Sequence, residues 1–193
     1  MKKIERSEIL ETDEYVRIRD EFRQRIMQVK NHRRLIVGDY LCFLFENRDT
    51  MIYQVQEMMR AEGIRDEQAI QHEIATYNEL VPAPHELAAT LLIEFADELV
   101  RRVKLKELVG LHEHIHLIID GDYMIKALFD DRQMDPDKIS SVQYIRFPLG
   151  PEATEAFLSA KNVELLTDHP ACSYRQPLTP EQLAALQADL RQA

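Results

Sequence analysis

Cysteine is scarce in this chain, with only Cys42 and Cys172 and no C-x-x-C pair. That count excludes a disulfide framework and a four-cysteine zinc site. Cys42 lies in the apolar run Tyr40-Leu41-Cys42-Phe43-Leu44-Phe45, where a thiol serves as a small core hydrophobe. Glycine is scarce as well, and all five are accounted for by local structure. Gly38 and Gly121 turn hairpins, Gly63 and Gly110 end helices, and Gly150 precedes one. None is left to cradle a phosphate, which argues against a P-loop or dinucleotide-binding site. There is no G-x-S-x-G, no H-E-x-x-H, and no helical E-x-x-H pair of the di-iron bundle type. No apolar run approaches 18 residues, and Met1–Arg6 has no apolar core. Neither a membrane span nor a secretion signal is expected, and the expected compartment is cytoplasmic.

Basic charge is also short. The net charge is −10, and a nucleic-acid partner would require a basic face. The imbalance is uneven: residues 1–34 hold 10 Lys/Arg against 7 Asp/Glu, leaving 14 against 27 for the rest. A charge-laced N-terminal helix on an acidic body explains this, and a basic arm for an acidic partner is the alternative. A chain of 193 residues is the size of one domain.

Periodicity supplies the elements. Tyr15, Ile18, Phe22, Ile26 and Val29 mark a helix over 13–33. Strands 35–37 and 40–46 follow, then a helix from Asn47 or Asp49 to about Ala61. Asp66 caps another helix, stopped by Pro82 and Pro84. Leu87–Phe95 reads as a central strand, and Asp97 starts a helix ending at Gly110. A hairpin is expected from His112–Ile119 and Tyr123–Phe129 around Asp120-Gly121-Asp122. The stretch 130–138 reads as a loop, acidic but lacking the glycine and closing glutamate of an EF-hand. Strands 141–149 and 163–167 flank a short helix opened by Gly150-Pro151. Thr179 and Gln182 form a capping box for a last helix. The expected fold is a single α+β domain over residues 1–193. Its sheet is largely antiparallel, containing Leu87–Phe95 and the 112–129 hairpin, with helices on one face and at the ends.

One cluster carries chemistry. If His112-Glu113-His114-Ile115-His116 is strand, alternate side chains put His112, His114 and His116 on one face, about 7 Å apart. Imidazoles so spaced suit zinc or iron. A two-residue turn at Gly121-Asp122 would set His116 opposite Ala127, His114 opposite Phe129 and His112 opposite Asp131. Asp131 could then orient an imidazole or ligate. His112, His114, His116 and Asp131 are the candidate metal site. The competing reading shares the face with Ile118, Ile125 and Phe129 and makes the histidines structural or solvated. A slip of one residue would undo the pairing. Elsewhere, Asp168-His169-Pro170 reads as a strand-end turn. Arg146 needs an acidic partner inside its apolar strand. Glu57 and Arg60 read as solvent-facing. Asn78 and Glu79 read as a helix terminus, and Met51, Met58 and Met59 as core filling.

Five segments together resemble a known family. They are Phe45-Glu46-Asn47-Arg48-Asp49-Thr50, Gln56-Glu57-Met58, Tyr77-Asn78-Glu79-Leu80, Arg146-Phe147-Pro148-Leu149-Gly150 and Asp168-His169-Pro170. In this order and spacing they resemble the uncharacterised bacterial family known as domain of unknown function 3501, over nearly the whole chain. The resemblance implies no assigned chemistry. It does imply an association with redox metabolism, through neighbouring genes for rubrerythrin and an iron–sulfur oxidoreductase of the heterodisulfide-reductase type. The expected function is therefore an accessory binding protein with one of those as partner. A small metal-dependent enzyme or metal carrier using the histidine strand is the alternative, and a purely structural interaction module is a third.

Overall fold

A computed structural model describes residues 1–133 and 135–192. The strands are β1 (Arg34–Val37), β2 (Leu41–Glu46), β3 (Glu86–Ile93), β4 (Ile115–Ile119), β5 (Tyr123–Lys126), β6 (Leu128–Phe129), β7 (Val142–Pro148), β8 (Val163–His169) and β9 (Cys172–Pro177). The helices are α1 (Thr12–Asn31), α2 (Arg48–Glu62), α3 (Glu67–Asn78), α4 (Glu98–Glu107), α5 (Gly150–Ser159) and α6 (Pro180–Arg191). The fold is α+β, with every strand pairing antiparallel.

The strands form two sheets rather than the expected one. Their orders are β1-β2-β3-β7-β6 and β5-β4-β8-β9. Alternation along each strand puts Phe43, Phe45, Leu91, Ile145 and Phe147 on the inner face of the first sheet. They share a buried core with Ile115, Leu117, Val163 and Leu165 of the second, and Phe157, Leu186 and Leu190 bring in α5 and α6. A second core joins α2 and α3 through Met51, Val55, Met59, Ile70 and Ile74, closed by Ile4 and Ile9 of the N-terminal segment. Cys42 and Cys172 are both buried and free.

The start and stop signals behave as their chemistry dictates. Asn47 caps α2, accepting from the Thr50 amide, and Gly63 ends it in the left-handed conformation. The Asp66, Asp97 and Thr179 side chains cap α3, α4 and α6. The 130–138 stretch contains a single 3-10 turn at Asp131–Gln133, and Met134 within it lies outside the described residues.

Three expectations fail, each for a local reason. Strand β4 begins at Ile115, not His112. Gly110, at φ 94°, turns the chain into a 3-10 turn over Leu111–Glu113 that buries Leu111, so His112 and His114 precede the strand. The hairpin turn spans three residues, since Ile119 pairs with Tyr123. Asp120 adopts φ 47°, and its carboxylate accepts from the Lys161 and Asn162 amides at 3.1 and 2.8 Å, which holds it there. His116 therefore faces Lys126 rather than Ala127. Beyond Lys126 the chain leaves this sheet at Ala127, and β6 pairs with β7 in the other. Strand β9 was not expected. Its alternation of Cys172, Tyr174 and Gln176 with exposed Ser173 and Arg175 is short and mostly polar, a weak signal.

Candidate functional site

The outer face of the first sheet is built around a small residue. In register, Glu46 of β2 lies opposite Ala88 of β3, and Ala88 lies opposite Arg146 of β7. One pair further on, Leu44, Thr90 and Tyr144 form the next row. Residues paired across antiparallel strands share a face, so a carboxylate and a guanidinium flank an alanine methyl, about 10 Å apart at the backbone. The methyl leaves a void of about 20 Å³ between them, lined by Glu46, Ala88, Thr90, Tyr144, Arg146 and Leu80 from the loop after α3. That is room for about one water.

Glu46 is 5% exposed. Its Oε1 accepts from the Thr90 hydroxyl at 2.7 Å, and its Oε2 has no protein partner among the described residues. Burial pushes its carboxyl up, against the hydrogen bonds from Thr50 and Thr90 and the positive charges of Lys30 and Arg33. Neither cation donates to it: Arg33 is committed to Asp189 and to the Val29 carbonyl. The Arg33–Asp189 pair is buried and bidentate, at 3.1 and 2.8 Å, and the Asn47 side-chain amide also donates to Asp189. It anchors α6 behind the end of β2.

Arg146 finds its expected acidic partner. It donates to Glu86 Oε1 at 3.0 Å and to the Glu79 carbonyl, with its side chain 38% exposed. Two of its five N–H donors are used, and the Tyr144 hydroxyl has no protein partner among the described residues. Leu80, Tyr144 and Arg146 also line a larger cleft of about 480 Å³, with Leu128, Phe129, Asp131 and Arg132. Within this lining Arg132 lies 2.8 Å from both Glu79 Oε2 and Asp130 Oδ2. Arg132 and Glu79 are solvated, so this ion pair is worth little energy. The arrangement offers a desolvated acid at the back, a guanidinium and phenol at the side, and an apolar wall in front.

The histidine residues do not share a strand face. His112 packs edge-on against Phe129 and sits 3.3 Å from Glu113. His114 Nδ1 meets Asp168 Oδ1 at 2.8 Å, with its ring edge-on to His169. His116 alone lies on β4, and its Nδ1 is buried without a protein partner among the described residues. Asp131 lines the cleft beside Arg146 instead of facing His112. Among the described residues, no group of three or more His, Cys, Asp or Glu side chains is placed to hold a metal ion. His169 accepts from the Ala171 amide at Nδ1, so its Nε2–H donates to the Val109 carbonyl, and both nitrogens are used.

Two polar residues do more than the sequence suggested. Glu57 is not solvent-facing: at 19% exposure it takes a bidentate contact from Arg19, at 2.7 and 2.8 Å, and the Tyr15 hydroxyl. These bonds tie α1 to α2 and hold its carboxyl down at about 2, the Arg19 bond contributing most. Asn78 does more than end α3, because its amide pairs with both backbone groups of Ile4. As a site residue Glu46 was missed. A carboxylate closing a six-residue strand that is buried throughout is the signal that could have found it.

No helix among the described residues is long and apolar enough to cross a membrane. The segments Phe45–Thr50, Tyr77–Leu80 and Arg146–Gly150 contribute Glu46, Glu79, Leu80 and Arg146 to this one site. No curated protein matches the chain. A crystal structure from Burkholderia pseudomallei K96243, described as a novel protein of unknown function, is similar at 32% identity and a TM-score of 0.92, covering 98% of this chain and 100% of that one. The model of the family described as protein of unknown function (DUF3501) matches residues 3–190, and the chain belongs to that family.

Proposed function

We propose that this chain is a binding protein whose ligand site is the cleft on the outer face of the first sheet. The observation that carries the reading is Glu46, a carboxylate almost wholly removed from water with one oxygen unpartnered, beside a void that shares walls with an open cleft. An unpaired buried polar atom is destabilising, and such groups persist where function requires them. The opposite charges of Glu46 and Arg146, held on either side of Ala88, support a binding role. The redox association implied by the family makes a rubrerythrin or an iron–sulfur oxidoreductase the first macromolecular partner to test by co-purification.

The direct test is a ligand screen by thermal shift on wild type and on Ala88→Leu, which fills the void. The screen covers amino acids, dicarboxylates, polyamines, nucleoside phosphates and inorganic phosphate. At least one class is expected to raise the wild-type melting temperature in a saturable way and to lose that effect in Ala88→Leu. No stabilising class, or equal effects on both proteins, would sink the proposal.

A further inference from the structure

We infer that the site takes a small zwitterion, an apolar α-amino acid, with its ammonium group at Glu46 and its carboxylate at Arg146. The inference rests on the binding reading and adds the chemical class of the ligand.

The two ends of the site ask for opposite charges. Glu46 presents one oxygen without a donor among the described residues, and its other oxygen accepts from the Thr90 hydroxyl. The void beside it admits a group of water size, which an ammonium is, and an ammonium brings three donors. Arg146 stands on the other side of Ala88, with three N–H donors uncommitted and the Tyr144 hydroxyl in the next row. A guanidinium beside a phenol suits a carboxylate, which it can grip with two parallel bonds. Both side chains project from one face and flank a single methyl group. A ligand bridging them must therefore carry its two charges close together. In front, Leu80, Leu128 and Phe129 offer an apolar wall for a side chain.

Other classes meet a mismatch. A dicarboxylate or phosphate sets a second anion against Glu46. A diamine leaves Arg146 unanswered. A nucleotide brings a polyanion to a site whose carboxylates, Glu46, Glu79, Asp130 and Asp131, outnumber its guanidinium groups, Arg132 and Arg146.

The experiment is isothermal titration calorimetry of the full chain with L-leucine, and with two analogues that each lack one charge: leucinamide, without the carboxylate, and isocaproate, without the ammonium. Inorganic phosphate and putrescine serve as single-sign probes. L-leucine is expected to bind one to one, with each analogue weaker by about tenfold or more, the scale of a lost charge-assisted pair. Glu46→Gln and Arg146→Met should each weaken L-leucine by a similar factor, their melting curves confirming that they fold. Binding of L-leucine that survives both substitutions, or analogues that bind as well as L-leucine, overturns the inference. If phosphate or putrescine binds and Ala88→Leu abolishes it, the zwitterion falls while the binding site stands. If no probe binds, the zwitterion is overturned, and the broader screen decides the fate of the site itself.

Discussion

Glu46 and Arg146 stand in register on opposite flanks of Ala88, each one strand away. Only an alanine methyl separates them, and no salt bridge joins them among the described residues. Arg146 turns to Glu86 and the Glu79 carbonyl, and Glu46 keeps an unpaired oxygen.

The desolvation of Glu46 has a measurable signature in pH. Its folded carboxyl titrates above its unfolded value because burial disfavours the charge. The contribution to stability is therefore complete below the unfolded value and is lost as pH rises through the folded one. Glu46→Gln is neutral throughout and removes that loss. Urea midpoints should show the variant gaining on wild type steadily as pH rises from about 4, near the unfolded glutamate value. A difference that is flat, or that shrinks with pH, would contradict the assignment.

The Arg33–Asp189 pair should show the asymmetry of a buried ion pair. Asp189→Ala leaves a guanidinium buried and the Asn47 amide without its acceptor, and should lower unfolding free energy by about 3–5 kcal/mol. The double variant Arg33→Met, Asp189→Leu should recover most of it. Recovery of none would mean that the geometry matters more than the charge.

Glu57 works in the opposite pH direction. Its carboxyl is held down at about 2, chiefly by the bond from Arg19, and then by Tyr15 and Arg60. A depressed value means stability present above the unfolded range and lost as pH falls toward 2. Helix α1 should come away from α2 in acid. The chain has no tryptophan, so near-ultraviolet dichroism reports its tyrosines, and comparison with Tyr15→Phe isolates the contribution of this contact. Glu57→Gln should weaken this attachment at neutral pH and remove its acid dependence. An unchanged acid transition in that variant would refute the role.

Metal addition separates the histidine cluster from the cleft. With His114 engaged by Asp168 and His116 on β4 away from it, zinc or ferrous iron should leave the melting temperature unchanged, in wild type and in His114→Ala alike. A specific ion at a hundredfold excess over its dissociation constant would add about 2.7 kcal/mol. A one-to-one ion lost with His114→Ala would show that these residues assemble a site.

Much of the fold was legible because local chemistry and tertiary packing agree. Asn47, Asp66, Asp97 and Thr179 cap helices where short polar side chains precede apolar stripes. The buried strands β2 and β3 announce themselves as apolar runs. The histidine strand misled because alternation over five residues cannot tell a strand from a 3-10 turn, and Gly110 together with buried Leu111 settles the matter by packing. Nothing local marks Ala127 as the point where the chain changes sheets. The site is hidden in the sequence for a similar reason. Glu46, Ala88 and Arg146 are far apart in sequence and meet only through the register of three strands.

The bond between Arg33 and Asp189 spans 156 residues of chain. During synthesis at about 5–20 residues per second, Arg33 waits roughly 8 to 30 seconds for its acid to be made. Until then, the place where α6 will lie stays open, and the core that holds Phe43 of β2 and Phe157 of α5 lacks Leu186 and Leu190. A nascent chain of this protein therefore carries an exposed apolar seam with an unpaired cation at its edge, a surface of the kind that holdase chaperones bind. Its completion depends on the docking of α6.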